Sequence, residues 1–260
     1  MKTRTLAQLT IVEVAEQLER SPRVLVPVGS TEQHGSHAPL GTDAILATAV
    51  CDRVAPRVDA LVAPAIPFGV SPEHEGFPGL VTLSPRTMSS LVHDVCVSLA
   101  RGGFRQIALV NGHYTNVVAL HAAVMETSDD LPDGTALYWL SYWDALPQEQ
   151  RDAYLGDEAG LHANIGETSA VMAVDESLVH LERARPEYPQ FERPLGNAAV
   201  VAYFFSSRGA LRRVLPGGVW GDPRESTAER GREYLAQIED AVVQAIQDAE
   251  DLFRTYGTAG

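Results

Sequence analysis

The chain has 260 residues, of which 45% are hydrophobic, enough for one large core, so we expect a single domain over residues 1–260. Its formal net charge is −14, and without a dense cluster of Lys or Arg this acidity argues against nucleic acid or an anionic membrane as the partner. No apolar run has the length of a membrane span. Acidic residues such as Glu13 interrupt the apolar region that a signal peptide would need at the N-terminus. We therefore predict a soluble, cytoplasmic protein with two buried free thiols, Cys51 and Cys96.

Short apolar runs alternate along the first half of the chain with segments of helical periodicity. The N-terminal segment is amphipathic and predicts a helix. Strands are predicted at "RVLVPVG", "ALVAPAIPFG", "QIALVNGH" and "GTALYWLSYWD", and helices at "DAILATAVCDRVAPRV", "RTMSSLVHDVCVSLARGGF" and "NVVALHAAVMETSDDL". Continuous apolar strands separated by helices are typical of a parallel sheet covered on both faces. The pattern predicts an α/β fold, a three-layer αβα domain with a mostly parallel central sheet.

The second half of the chain has a less regular pattern. The segment "IGETSAVMAVDESLV" predicts a helix. Residues 182–226 are rich in Pro and Gly and are predicted to be irregular, with a strand or two. The C-terminal segment predicts a long helix that starts at Ser226 or Thr227, with Glu229 placed for a capping box.

Polar side chains collect where the predicted strands end. The stretch "GSTEQHGSHAPLGTD" follows the first strand, "GVSPEHEGFPG" the second and "NGHYTN" the third, and "GLHANIGETS" precedes a helix. In an open parallel sheet the loops that leave the carboxyl ends of the strands form the functional site. These loops carry the following histidines and carboxylates: Glu32, His34, His37, Asp43, Glu73, His74, Glu75, His113, His162 and Glu167.

This set of side chains indicates a metal site. Taken singly, each would be a solvated group or a cap, and Asp43 could cap the helix that follows it. Together, imidazoles and carboxylates without clustered cysteines are the ligands of a catalytic divalent ion, and a carboxylate such as Asp43 could bridge two ions. A phosphate-binding loop at "GSTEQHGS" is disfavoured, because the lysine of that motif is absent and Glu32 would repel phosphate.

Three segments of the chain resemble the signature segments of the creatininase (creatinine amidohydrolase) family. They are "VPVGSTEQHGSHAPLGTD", "NGHYTN" and "HANIGETS", and "FGVSPEHEGFPGLVTLS" and "GVWGDPRESTAERG" add to the likeness. The resemblance implies an αβα fold, usually assembled as a homohexamer. It also implies a dinuclear site of zinc, manganese or iron, two divalent ions per subunit, that hydrolyses non-peptide or cyclic C–N amide bonds.

Matching the motifs position by position gives the site residues that the resemblance implies. Asp43 would bridge the two ions, and His162 matches the histidine that passes protons to the leaving nitrogen. Glu167, which follows that histidine in the motif, matches a further ligand and is grouped with His162 in the catalytic set. The implied metal ligands are Glu32, His34, Asp43, His113 and Glu167.

Two positions depart from creatininase itself. Creatininase places a metal-binding glutamate where this chain has Thr115, so either Glu167 completes the second metal site or that site is weak. Creatininase also carries a lid tryptophan before its catalytic histidine, where this chain reads "YLGDEAGLH" with Glu158. Without that aromatic lid, creatinine is not the expected substrate.

The main functional hypothesis is a metal-dependent amidohydrolase for a small, possibly cyclic, substrate. A metal-bound hydroxide would attack the amide carbonyl, and His162 would protonate the departing nitrogen. Glu73 and His74 could equally stabilise their loop. A peptidase-like member that trims a short modified peptide, and a catalytically silent metal- or ligand-binding protein, stay open as alternatives. Contacts with the small-molecule substrate are predicted for Ser71, Glu73, His74, Tyr114 and Asn116.

Overall fold

The computed structural model of the chain describes residues 5–156, 159–193, 195 and 197–256. Glu158, compared above with a lid aromatic, lies outside these residues. The helices and strands within them are α1 (Ile11–Arg20), β1 (Arg23–Val28), α2 (Thr42–Val54), β2 (Leu61–Val62), α3 (Pro85–Arg101), β3 (Gln106–Asn111), α4 (Asn116–Thr127), β4 (Ala136–Ser141), α5 (Gln148–Tyr154), β5 (Gly160–His162), α6 (Ile165–Asp175), α7 (Asn197–Ser206), α8 (Ala210–Val214), β6 (Trp220–Gly221) and α9 (Ala228–Tyr256).

Four parallel strands form the central sheet in the order β2-β1-β3-β4. Because successive side chains of a strand point to opposite faces, β1 contributes to two cores. Leu25 packs in one core with residues of α2, α6 and α9. Val24 and Val26 pack in the other with residues of α3 and α4. Helices therefore cover both faces, and the predicted three-layer αβα fold is confirmed. That residues 1–260 form a single domain stays a prediction.

The strand order reverses between β1 and β3. From β1 the chain passes through α2 to β2 on one side, and then through α3 to β3 on the other side of β1. The helices α2 and α3 lie on opposite faces, so the loops that leave β1 and β3 separate and open a crevice at the carboxyl edge of the sheet. Such a switch point is where open α/β sheets bind ligands.

Two predicted elements differ in their details. β2 has only two residues, because Pro64 in "VAPAIPFG" has no N–H for the ladder; beyond it the chain follows β1 through single bonds such as Ile66 N to Pro27 O, 2.9 Å. At the start of α9 the hydroxyl of Thr227 accepts the N–H of Arg230 at 3.1 Å, so Thr227 is the cap. The prediction of a capping box with Glu229 was wrong, since Arg230 occupies the third helical position.

The segment 182–226 is more regular than its composition predicted. Its described residues include the α-helices α7 and α8 beside the two-residue strand β6. The run "AAVVAYFF" in α7 carries no helix breaker, and its apolar side chains need a surface to contact. Among the described residues, no helix has the length and apolarity needed to cross a membrane. Cys51 and Cys96 are buried and free, as predicted.

Candidate metal centre

The first turn of α2 packs directly against the ends of β1 and β3. A Cβ added to Gly29 would lie 2.3 Å from the backbone N of Ala44, and one added to Gly112 would lie 2.5 Å from the backbone O of Asp43. Only glycine permits this approach. The side chain of Asp43 makes no capping bond, and Gly41 is the N-cap. Asp43 is instead buried between the loops that follow β1 and β3.

The side chains of these loops meet at a common point. Asp43 Oδ1 lies 3.2 Å from His34 Nε2 and Asp43 Oδ2 lies 3.2 Å from His113 Nδ1. Glu32 Oε2 lies 3.2 Å from the same nitrogen of His113. Ligands of a tetrahedral zinc ion, each about 2.0–2.2 Å from the metal, are separated by about 3.3–3.6 Å. The four side chains are therefore spaced much as ligands of shared cations are.

Several of these atoms have no hydrogen bond despite full burial. Glu32 Oε2, His34 Nε2 and Asp43 Oδ2 lack a hydrogen-bond partner among the described residues, although each lies close to another polar atom. These atoms thus lie close to other polar atoms, but donor and acceptor are not aligned for a hydrogen bond. Buried polar atoms left in this state are costly, and a cation among them would satisfy all three. The donor set fits a divalent metal ion.

Three groups in the described residues have ligand atoms within 4.8 Å of one another. Asp43 belongs to one of them and also contacts His34 of another, as a bridging carboxylate would. The groups are Glu32–Asp43–His113, His34–His162–Glu167 and Glu32–His74–His162.

A tight turn brings His162 and Glu167 into the cluster. Ala163 between them is fully buried and has a positive φ of 50°, a conformation that is uncommon without glycine and concentrates at functional sites. The Ala163 N–H donates to Glu167 Oε2 at 2.7 Å, while Glu167 Oε1 lies 4.0 Å from His34 Nε2. The turn thus fixes one carboxylate oxygen and directs the other at the cluster.

Outer contacts decide which atom each side chain presents. The Nε2 of His113 lies 3.2 Å from the carbonyl oxygen of Val70, so we assign its proton to Nε2 and its lone pair to Nδ1, which faces the carboxylates. The Nε2 of His74 lies 3.2 Å from Glu32 Oε1; this contact occupies Oε1 and leaves Oε2 to the cluster.

Gln33 is a site residue that the sequence reasoning missed. Its carbonyl oxygen lies 2.8 Å from Nε2 of His162, and its side-chain nitrogen lies 3.3 Å from Nδ1 of His74. With the His162 proton on Nε2, the Nδ1 of that ring, 3.9 Å from Glu32 Oε1, faces the cluster. The signal in the sequence was its position between Glu32 and His34.

The charges of the cluster shift the pKa values of its members. Burial alone would lower the pKa of His34, yet the carboxylates, Asp43 first, raise it to about 9. Burial raises the pKa of Glu167 to about 7 against the opposing charge of His34. Burial, and then the neighbouring histidines, hold the pKa of His162 well below its usual range. The carboxylates thus favour a positive charge at this point, and a metal ion bound there would take the place of the proton on His34.

Thr115 does not supply a carboxylate, but a carboxylate lies beside it. Its hydroxyl oxygen lies 2.7 Å from Glu73 Oε1, and the same oxygen of Glu73 lies 3.7 Å from His113 Nε2. Burial raises the pKa of Glu73 to about 7, and its Oε2 has no hydrogen-bond partner among the described residues. A second loop therefore brings an acidic group to the position at which the sequence departs from creatininase.

The five residues predicted to contact substrate separate into two groups. Glu73, His74 and Tyr114 line the cavity above the cluster. Ser71 and Asn116 are fully buried and are not among its lining residues. Ser71 Oγ lies 2.6 Å from Ser30 Oγ, and Asn116 accepts the N–H of Val70 at 2.8 Å and donates to Gly29 O at 3.0 Å. Both join the loops beneath the site, so the structure does not place them against a substrate.

The cavity has a volume of about 1370 Å³. Its polar floor is the cluster, with Glu32, Asp43, His113, His162 and Glu167 among the lining residues. On another side the lining is apolar, with residues of α7 and β6. His37, the remaining histidine of the first loop, does not line the cavity; its Nε2 lies 3.0 Å from the hydroxyl of Thr168.

Comparison with known proteins places these features in a family. The creatinine amidohydrolase (creatininase) family model matches residues 7–246. The chain is 34% identical to the mycofactocin precursor peptide peptidase of Mycobacterium ulcerans, over 86% of this chain and 84% of that protein. It is 35% identical to the creatinine amidohydrolase of Pseudomonas putida, over 62% of this chain and 67% of that one. A manganese creatininase structure superimposes with a TM-score of 0.81 at 28% identity, covering 95% of this chain and 98% of the other.

Proposed function

The chain belongs to the creatininase family of hydrolases, and from that premise we propose that it is a metal-dependent amidohydrolase that cleaves a C–N amide bond of a small, possibly cyclic, substrate. The observation that carries the proposal is the set of 3.2 Å separations that join His34, Asp43, His113 and Glu32. Loops from separate strands supply these side chains, and packing alone gives no reason for them to meet.

The proposed cofactor is a pair of divalent ions per chain, zinc, manganese or iron. Asp43 would be shared, since its two oxygens face different histidines. Bound there, the ions would supply Lewis acidity toward an amide carbonyl and would lower the pKa of water. Glu32, Asp43 and His113 would hold one ion, and His34, Asp43 and Glu167 the other.

His162 would move the proton that an amide nitrogen needs in order to leave. Its Nε2–H donates to the carbonyl of Gln33 at 2.8 Å, so the ring is held in place while Nδ1 takes up a proton and delivers it to the nitrogen. His162 is 9% exposed and lines the cavity, so the residue lies at the boundary between cluster and cavity. Glu167 supports the arrangement from the other end of the same turn.

The test is metal analysis combined with one substitution. We expect two equivalents of divalent metal per chain by mass spectrometry, together with metal-dependent hydrolysis of amides from a small-molecule panel. General acid–base catalysis contributes about 10²- to 10⁴-fold, so His162→Ala should keep its metal and lose turnover by that factor.

Two results would count against the proposal. A protein that binds no metal at micromolar supply would be a silent binding protein. A His162→Ala variant with normal turnover would remove the assigned proton carrier.

A peptidase is the second candidate function. It is favoured by the similarity to a mycofactocin precursor peptide peptidase over 86% of this chain and by a cavity of about 1370 Å³, which exceeds the roughly 300–1,000 Å³ of sites for drug-sized ligands. Parallel panels of short peptides and of cyclic amides separate the two candidates, because only a peptidase turns over the peptides faster.

Four further properties belong to the proposal. We propose a homo-oligomer, a hexamer, as the resemblance implies, and one domain that uses the whole chain. We also propose a cytoplasmic location and a small-molecule substrate rather than a nucleic acid, supported by the net charge of −14. Sedimentation analysis of the full chain tests the oligomer.

A further inference from the structure

One side of the cavity is built from aromatic side chains, and we propose that it is a subsite for an aromatic group of the substrate. The inference rests on the proposed amide hydrolysis and deepens it, since it names the substrate class: an amide that carries an aromatic side group. We call this surface the aromatic wall, and its members are Tyr114, Phe191, Phe204, Phe205 and Trp220.

The rings of the wall come from separate parts of the chain and meet in pairs. Phe204 in α7 lies 5.6 Å from Trp220 in β6, between ring centroids, at a tilt of 44°. Phe205, also in α7, lies 5.5 Å from Tyr114 in the loop after β3, edge to face. Rings prefer these tilted and edge-to-face contacts. The pairs hold α7 against the loop of His113 on one side and against β6 on the other.

The wall leaves apolar surface uncovered. Tyr114 is 49% exposed and Phe191 38%, and Phe205 is also exposed. Further apolar side chains, such as Leu161 in β5 and Val201 in α7, continue this surface along the cavity. An apolar group of a ligand would remove it from water, which is favourable. None of the five wall residues is charged, so an aromatic group fits better than a charged one.

The wall lies next to the reacting atoms. Trp220 pairs with His162 across the antiparallel strands β5 and β6, and side chains directly opposite in such a pair lie on the same face. Tyr114 directly follows His113 in the chain. A substrate whose amide bond lies over the cluster therefore has its side group within reach of the wall.

The size of the cavity agrees with such a substrate. About 1370 Å³ exceeds the roughly 300–1,000 Å³ of pockets for drug-sized ligands. A small cyclic amide without a side group would fill the polar floor and leave the wall in contact with water. An amide with an aromatic group occupies both sides.

The test compares binding of two probes to the full-length, metal-loaded protein. N-acetyl-phenylalaninamide and N-acetyl-alaninamide share the amide groups and differ in the ring. We expect the aromatic probe to bind at least about 10-fold more tightly, the range over which apolar pockets discriminate, with a change in tryptophan fluorescence. Phe204→Ala should reduce the preference to less than about 3-fold.

Tyr203 provides the matched control. It lies on the same helix and is 39% exposed, but it is not a cavity-lining residue; its ring contacts that of Phe204 edge to face, and its hydroxyl accepts from Arg213 Nε at 3.1 Å. Tyr203→Phe removes the hydroxyl and keeps the ring contact, so it should keep the full preference, and a loss in both variants would contradict a subsite at Phe204.

Equal binding of the two probes would overturn the inference. The inference would also be overturned if a second copy of the chain covered the wall. In that case neither probe would bind, and Phe204→Ala would change the molecular mass of the protein in solution. The binding measurement does not depend on hydrolysis, so failure of the proposed function is a separate result. It would appear as no hydrolysis of either probe or of any member of the amide panel, whatever the binding preference.

Discussion

The floor and the aromatic wall of the same cavity are built by opposite physical means. Floor residues such as Asp43 and His113 are at most 5% exposed, and neighbouring polar atoms hold them. Wall residues such as Phe205 and Tyr114 are partly exposed and contact each other edge to face. A buried polar atom needs a partner at a suitable distance and angle, whereas apolar contacts are non-directional. The comparison underlies our proposal that the floor carries out the chemistry and that the wall selects the substrates.

The largest effect is expected at the shared carboxylate of the floor. Asp43→Ala should remove both ions, because each of its oxygens faces a different histidine, and should reduce hydrolysis to background. Metal content by mass spectrometry and the rate of amide hydrolysis are the two measurements. Asp94→Ala, a substitution of an exposed carboxylate on α3, is the control and should keep both ions. Retention of two ions by Asp43→Ala would show that the floor is not a shared site.

A smaller effect is expected at His74, which orients a proposed metal ligand of the floor and is not a proposed ligand itself. His74 Nε2 lies 3.2 Å from Glu32 Oε1, and the loss of such an outer contact typically costs about 10- to 100-fold in metal affinity. We expect His74→Ala to show a weakening of that size in a competition titration with a chelator. His93→Ala, whose ring pairs with Asp130 at 2.9 Å on the surface, should leave the affinity unchanged. Complete loss of one ion would instead make His74 a ligand.

The smallest effect is expected at the connection between floor and wall. Arg208, just before α8, pairs with Glu75 of the loop after β2, with Nε 2.9 Å from Oε2. Exposed ion pairs contribute about 0–1 kcal/mol, so Arg208→Ala should lower the free energy of unfolding by no more than that and change KM less than about 3-fold. Denaturant unfolding and steady-state kinetics measure the two quantities. Arg224→Ala, which breaks only a local pair with Asp222, is the control. A change in kcat as large as that of His162→Ala would show that floor and wall do not act separately.

Much of the floor could be predicted because its residues lie in short, distinctive loops. Glu32, His34 and Asp43 fall within twelve positions of the chain after one strand, and the carboxyl end of a parallel strand is where such groups gather. His113 follows the next strand in the same way. What the pattern could not give was the direction of each side chain. Ser71 and Asn116 share loops with site residues, yet they point into the hydrogen bonds beneath the cavity.

The wall could not be predicted in the same way. The Pro- and Gly-rich composition of residues 182–226 concealed α7 and α8. The contact of Phe204 with Trp220 depends on how these short elements pack, and so does the contact of Thr115 with Glu73 between loops more than forty positions apart.

The sequence by itself determined the layered fold and the set of groups available for metal binding. Apolar periodicity selects strands and helices locally, and residue type decides which atoms can bind a cation. Only the tertiary structure decided that Asp43 faces two histidines, that Gln33 and His74 orient the floor, and that an aromatic wall stands beside it. These outcomes depend on distances of a few ångströms between segments far apart in the chain, and such distances are set when the helices pack on the sheet.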